Sequence, residues 1–95
     1  MKTIKQASIS PVYTEFIPYV KIMKQGVIYV SREYGTASHK CLCGCGGLTV
    51  TPLDKPYGWT LIVNDKGVTM TPSIGNFSFE CKSHYIITNG IANFV

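Results

Sequence analysis

The sequence has no long apolar stretch, no run of basic residues and few acidic side chains. No hydrophobic segment approaches the roughly 18 residues that a membrane-spanning helix needs, so no membrane association is predicted. The nine lysine and arginine residues give a formal charge of +4 against five acidic residues, but they are scattered along the chain. Nucleic-acid binding is therefore only weakly supported. The acidic residues also form no His-Glu-x-x-His or His-x-Glu pattern, which would place a general base beside catalytic zinc.

The sequence also lacks a convincing amphipathic helix and a targeting segment. Apolar residues between Tyr13 and Met23 lie near helical spacing, but Pro18 interrupts them, so at most a short helical turn is expected. The first residues carry positive charge without a following apolar segment, so no signal peptide is predicted and the expected location is cytoplasmic. Thiols stay reduced in the cytoplasm, which favours metal binding over disulfides.

The length and composition predict one small folded domain. Ninety-five residues with 45% hydrophobic and 12% aromatic content are typical of a folded chain rather than a disordered one. We expect a single domain over residues 1–95, in which residues 1–15 are either an integral part or an N-terminal extension. A chain of this size buries a modest core, so a bound metal would add substantially to its stability.

Short segments of β-branched and aromatic residues, separated by Gly, Pro, Asn and Asp, predict an all-β fold. These segments are residues 27–31, 48–51, 59–63, 68–71, 84–88 and 91–95. Asn89-Gly90 predicts a type I′ hairpin between the last two strands, because both central positions of that turn need positive φ. Residues 64–67 predict a second hairpin, and residues 24–26 a third. The expected fold is a small antiparallel β domain that is zinc-ribbon-like.

The four cysteines are the most informative feature of the chain. Cys41, Cys43 and Cys45 lie within five residues, and Cys81 precedes His84 by three positions. A disulfide between neighbouring Cys-x-Cys residues is strained, so these thiols do not suggest a disulfide framework. Thiolates and an imidazole that arrive from two separate segments are the ligands of tetrahedral zinc, and the pattern therefore predicts a Zn²⁺ site.

The spacing does not decide which residues bind the metal. In a regular strand these cysteines would lie about 6.6–6.8 Å apart, too far to share an ion, so the chain must curl at its glycines. The favoured ligand set is Cys43, Cys45, Cys81 and His84. One alternative replaces Cys45 with Cys41, and another combines three cysteines with His84 and leaves one position open. His39 is a sixth candidate, expected at the surface or beside the ligands.

Three motifs together resemble those of a known family. Residues 41–46 (Cys-Leu-Cys-Gly-Cys-Gly), 72–76 (Pro-Ser-Ile-Gly-Asn) and 81–85 (Cys-Lys-Ser-His-Tyr) occur in the order found in a bacterial and phage family of small proteins, described as a domain of unknown function. The match runs from about Phe16 to the end of the chain. The resemblance implies a metal-binding domain. Some relatives are encoded beside ubiquitin-like modifiers and their enzymes, which implies a role near protein modification or phage defence.

The segment 72–76 has no evident role at the metal. Its Ser73, Asn76 and backbone N–H groups could line a pocket or bind a peptide, or its polar side chains could simply satisfy their own backbone. Ser73 or Ser83 near His84 would suit a pair of nucleophile and base. That interpretation requires that His84 does not bind zinc with the same nitrogen.

These observations favour binding over catalysis. We expect a structural-zinc module that acts as an adaptor for a protein partner, which the resemblance implies is a component of a ubiquitin-like pathway. The first alternative is a nucleic-acid-binding, zinc-ribbon-like protein. The second is a zinc-dependent hydrolase with an open coordination position. The sequence alone assigns no catalytic residue.

Overall fold

A computed structural model of the protein describes residues 6–53 and 58–95. These residues contain nine β-strands, which form two sheets. The strands are β1 (Gln6–Ser8), β2 (Ser10–Tyr13), β3 (Val27–Ser31), β4 (Thr36–Lys40), β5 (Leu48–Pro52), β6 (Thr60–Asn64), β7 (Gly67–Gly75), β8 (His84–Thr88) and β9 (Ile91–Phe94). One turn of 3-10 helix spans Val20–Ile22, within the segment where a short helical turn was expected. No helix in these residues is long and apolar enough to cross a membrane.

The two sheets differ in size and in the direction of their strands. Sheet A has the order β1-β9-β8-β7-β6, and each neighbouring pair is antiparallel. Sheet B has the order β2-β3-β4-β5, in which β2 and β3 are parallel. The chain passes from sheet A to sheet B at Ile9, whose N–H donates to the Gly90 carbonyl at 2.9 Å. This N-terminal crossing ties the two sheets together at one side.

The hydrophobic core lies between the sheets, because alternate residues of each strand point inward. In β8, for example, Tyr85 and Ile87 are buried whereas Ile86 between them is exposed. Other buried apolar side chains come from strands of both sheets, among them Ile28, Val30, Val68, Met70 and Ile74. Each contributes about 1.5–3 kcal/mol when fully buried. The residues that face away from this core remain available for chemistry and binding.

The all-β fold and two of the predicted hairpins are confirmed. All six predicted strand segments overlap strands of the structure. Asn89 and Gly90 join β8 to β9 with φ values of +50° and +78°, as a type I′ turn requires. Asn64 pairs with Gly67 at the end of the β6–β7 hairpin, and Gly67 has a φ of +115°.

The prediction of a hairpin at residues 24–26 is wrong. The strands on either side of residues 14–26, β2 and β3, are parallel, so the connection crosses over instead of turning back. A parallel pair requires such a crossover. The sequence also did not indicate β1, β2 or β4. The β4 strand has small and polar residues, yet Ser38 and His39 are both buried.

Substitution of Gly67 tests how closely the β6–β7 hairpin packs against the turn of the β8–β9 hairpin. A Cβ atom at Gly67 would lie 2.8 Å from the Gly90 nitrogen, whereas a Cβ at Gly90 would have no contact under 3.5 Å. Gly67→Ala should therefore destabilise the fold by about 2–3 kcal/mol, and the matched Gly90→Ala by about 1 kcal/mol. Urea unfolding of both variants measures the difference. Equal losses would contradict this packing.

Candidate functional site

The three clustered cysteines occupy a curled connection between β4 and β5. Gly44 and Gly46 have φ values of +92° and +84°, which L side chains rarely adopt. The Cys41 N–H donates to the Gly47 carbonyl at 2.8 Å, and the Gly44 N–H donates to the Cys41 carbonyl at 3.1 Å. This tight turn brings together sulfur atoms that an extended strand would hold apart.

Cys81 reaches the same point from the connection between β7 and β8. A hydrogen bond of 2.7 Å from the Asn76 N–H to the Ser83 carbonyl closes this connection, and Lys82 has a φ of +46°. The Cys81 sulfur lies 3.7 Å from that of Cys41 and 3.6 Å from that of Cys45. All four cysteine sulfurs, including that of Cys43, lie within 4.8 Å of one another.

The arrangement of the four thiols fits a tetrahedral metal ion. With zinc–sulfur bonds of about 2.3 Å, the ligand sulfurs of a tetrahedral site are separated by about 3.8 Å. The Cys41–Cys43, Cys41–Cys81 and Cys45–Cys81 sulfur distances are 3.4, 3.7 and 3.6 Å. The cluster of Cys41, Cys43, Cys45 and Cys81 is therefore a potential metal site, which we call the four-cysteine site.

The thiols of this site differ in their tendency to ionise. Burial raises the pKa of Cys43 to about 12, and a hydrogen bond with Cys41 adds to the effect. Burial also raises the pKa of Cys45. Burial acts in the same direction on Cys81, but hydrogen bonds with the Ser83 side chain and backbone lower its pKa to about 6. Four neighbouring thiolates would repel one another, and a bound cation would stabilise them together.

His84 lies outside the four-cysteine site. It is the first residue of β8, and its Nε2 atom is 2.7 Å from the Ser73 Oγ atom. The ring of Phe77 packs against the imidazole, with 5.4 Å between ring centroids. Of the favoured ligands, the structure thus brings Cys43, Cys45 and Cys81 together with Cys41, and it pairs His84 with a serine. The assignment of the ligands stays a prediction.

His39, the sixth candidate, is buried between the sheets. Its Nε2 atom lies 2.7 Å from the Tyr85 hydroxyl, and burial lowers its pKa to about 4, so the ring is neutral at pH 7. Tyr85 also accepts a hydrogen bond from the Asn76 amide at 3.3 Å. His39 therefore belongs to the polar contacts beneath the four-cysteine site and not to the site itself.

A bulge in β7 places Ser73 beside His84. The register between β7 and β8 shifts between Met70 and Ile74, where the Met70–Ile87 pair is followed by the Ile74–Tyr85 pair. Such bulges redirect side chains and are common beside active sites. Because Ile74 and Tyr85 face the core, Ser73 and His84 point to the outer face of sheet A. Both are half-buried, so part of each side chain is accessible to solvent.

The second serine considered in the sequence has a different environment. The Ser83 Oγ atom lies 2.9 Å from the Cys41 sulfur and 3.4 Å from the Cys81 sulfur. Ser83 therefore contacts the four-cysteine site, whereas Ser73 contacts His84. The indole N–H of Trp59 points at the Ser73 carbonyl from 3.4 Å. The sequence does not indicate which serine contacts His84, because Ser73 is 11 residues away from His84 along the chain.

Residues 13–95 match a family model described as the bacterial ubiquitination-like system serine protease, BubE. The chain belongs to this family. Membership of the BubE family links the protein to a bacterial ubiquitination-like system, and such a system suggests protein partners. No curated protein and no solved structure matches the chain.

Metal content distinguishes a ligand set of four cysteines from the set predicted by spacing, in which His84 takes the place of Cys41. We expect Cys41→Ser and Cys81→Ser to lose most of the bound metal, because each removes one of four mutually close thiolates. We expect His84→Gln to retain it, because the imidazole contacts Ser73 instead. Elemental analysis of the purified variants gives the metal-to-protein ratio. Loss of metal in His84→Gln with retention in Cys41→Ser would support the set predicted from spacing.

Proposed function

We propose that the protein is a serine protease with Ser73 as its nucleophile and His84 as its general base. The distance of 2.7 Å between Ser73 Oγ and His84 Nε2 carries this proposal. A nucleophile within hydrogen-bond reach of a base is the signature of an activated serine. The description of the BubE family as a serine protease supports the same chemistry.

The geometry of the pair supports the usual sequence of acyl transfer. When the His84 proton resides on Nδ1, Nε2 accepts the Ser73 hydroxyl proton as Oγ attacks the carbonyl carbon of the substrate. The imidazolium then donates this proton to the leaving amine, and an acyl-enzyme forms on Oγ. A water molecule, deprotonated by the same nitrogen, hydrolyses the ester and restores the serine.

An aromatic contact orients the base. In the described part of the chain, no carboxylate forms a hydrogen bond with His84, so the pair is a dyad there. The ring of Phe77 contacts the imidazole and lies against Gly75, where a Cβ atom would overlap it. Gly75 also pairs with His84 across the β7–β8 ladder. These contacts limit the orientations of the imidazole ring, which is one of the roles that a carboxylate serves in a triad.

We propose that the four-cysteine site binds zinc and has a structural role. Thiolate ligands in a tetrahedral arrangement favour zinc or iron–sulfur chemistry. Four protein ligands fill the coordination of zinc, so no position remains for a reactive water. The zinc-dependent hydrolase is therefore disfavoured, and the chemistry is assigned to Ser73. The metal would instead contribute to the stability of the fold.

The substrate class follows from the family. A serine protease of a ubiquitination-like system would act on a peptide or isopeptide bond of the ubiquitin-like modifier or its conjugates. An adaptor that binds such a protein without cleaving it is the second candidate, and it needs the same contacts but no reactive serine. Nucleic-acid binding, a cytoplasmic location and a role in phage defence stay predictions.

Loss of either member of the dyad should abolish catalysis. Ser73→Ala removes the nucleophile and His84→Gln removes the base, so each should lower the rate by about a thousandfold or more. As a control, Ser78→Ala changes an exposed serine of the connection between β7 and β8, and its rate should equal that of the parent protein. The rates are measured as cleavage of the modifier from the same bacterial system and as labelling by a fluorophosphonate. In the labelling reaction, Oγ displaces fluoride from phosphorus.

The same measurements separate protease from adaptor. A protease gives labelling at Ser73 and cleavage, and both disappear in Ser73→Ala. An adaptor gives neither, although it binds the modifier in a pull-down, and Ser73→Ala then binds as well as the parent protein. Labelling at Ser83 in place of Ser73 would contradict the assignment of the nucleophile.

A further inference from the structure

Asn76 connects the four-cysteine site to the core with a single buried amide. Its Nδ2 atom lies 3.2 Å from the Cys41 sulfur and 3.3 Å from the Tyr85 hydroxyl. Its Oδ1 atom accepts a hydrogen bond of 3.1 Å from the Thr49 hydroxyl. The residue is only 6% exposed, so these bonds have little competition from water. An N–H group aimed at a metal-ligating sulfur can donate a hydrogen bond to it and so orient it.

The Ser83 hydroxyl is the second donor to the same sulfur when Cys41 is a metal-bound thiolate, because a thiolate can only accept. This hydroxyl lies 2.9 Å from the Cys41 sulfur, and the residue is buried. Its carbonyl accepts the Asn76 N–H at 2.7 Å, so the two donors are also bonded to each other through the backbone. Metal ligands are commonly oriented by such neighbouring hydrogen bonds.

The two donors adjoin the catalytic pair in the sequence. Asn76 follows Gly75, the residue paired with His84, and Ser83 immediately precedes His84. Any displacement of Asn76 or Ser83 therefore moves the backbone that holds Ser73 and His84 at their distance of 2.7 Å. Small shifts of this kind matter, because displacement of a catalytic group by about 1 Å can lower a rate a hundredfold.

We propose that the four-cysteine site holds Ser73 and His84 in their reactive geometry through Asn76 and Ser83, which act as positioning residues. Metal binding fixes Cys41, the Cys41 thiolate fixes the two donors, and the donors fix the ends of β7 and β8 that carry the pair. This proposal rests on the proposed function, both for the metal and for the reactive serine. It adds that the metal controls the chemistry and does more than stabilise the fold.

The test uses Ser83→Ala, which removes one oxygen atom, and Asn76→Asp, which replaces a donor with a negative charge of similar shape. Ser78→Ala and Asn64→Asp are the matched controls, since both residues are exposed and their side chains do not contact the thiols. Zinc affinity is measured by competition with a chromophoric chelator. Labelling by a fluorophosphonate is measured at saturating zinc, with circular dichroism to verify the fold.

We expect both variants to bind zinc about 10–100-fold more weakly than the parent protein. At saturating zinc they should remain folded, and the rate constant of labelling should fall by about tenfold or more while the apparent affinity for the probe stays constant. Ser83→Thr, which retains the hydroxyl, should recover zinc affinity and labelling. The two control variants should match the parent protein in both measurements.

Three results would overturn the proposal. Unchanged zinc affinity in folded Ser83→Ala would show that the donors do not support the metal. Weakened zinc affinity with unchanged labelling would show a metal site independent of the serine. Absence of labelling in the zinc-loaded parent protein would overturn the proposed chemistry as well, so that failure is distinguishable from the other two. If Asn76→Asp does not fold, Ser83→Ala alone decides.

Discussion

Contact among four thiols is the constraint on which the rest of the structure depends. Cys41, Cys43 and Cys45 belong to the β4–β5 connection of sheet B, and Cys81 belongs to the β7–β8 connection of sheet A. The four-cysteine site therefore joins the two sheets at a point where a small core offers limited support. A metal bound by Cys41 and Cys81 would cross-link residues 40 positions apart and so remove much of the freedom of the unfolded chain.

The position of the four-cysteine site explains why Ser73 and His84 lie close to it. The connection that delivers Cys81 ends at His84, and the strand that precedes it carries Ser73. Alternation along β7 and β8 then turns Ile74 and Tyr85 inward and the reactive pair outward. A site built on strands is positioned more firmly than one on a free loop. The same short segment thus contributes to the four-cysteine site, to the core and to the contact between Ser73 and His84.

Much of the fold follows from local patterns in the sequence, and much of the site does not. The β-branched runs and Asn89-Gly90 locate the last strands because turn geometry and strand propensity are local properties. The β4 strand escapes such patterns, since its small polar residues are buried by tertiary packing. Spacing predicted a metal site at the cysteines, but the favoured set contained His84 and left out Cys41, whereas the structure gathers all four thiols and places His84 beside Ser73. The turn at Lys82 and the start of β8 direct its ring to Ser73 instead of the thiols.

The proposed catalysis is assigned to Ser73 because of the different contacts that the four thiols and His84 make. In the proposed function, four thiolates would complete a tetrahedral metal ion and leave it no position for a reactive water, whereas the His84 nitrogen next to Ser73 would be free to move a proton. A Ser–His dyad that lacks a carboxylate, as the pair does among the described residues, would be a modest catalyst, so productive rates would require that the substrate be held firmly in place. Phe77 and Ile86 are exposed on the face that carries the pair, and they offer apolar surface for a protein substrate. Binding energy from such contacts away from the scissile bond can lower the barrier at Ser73, which is how a domain this small could cleave a protein.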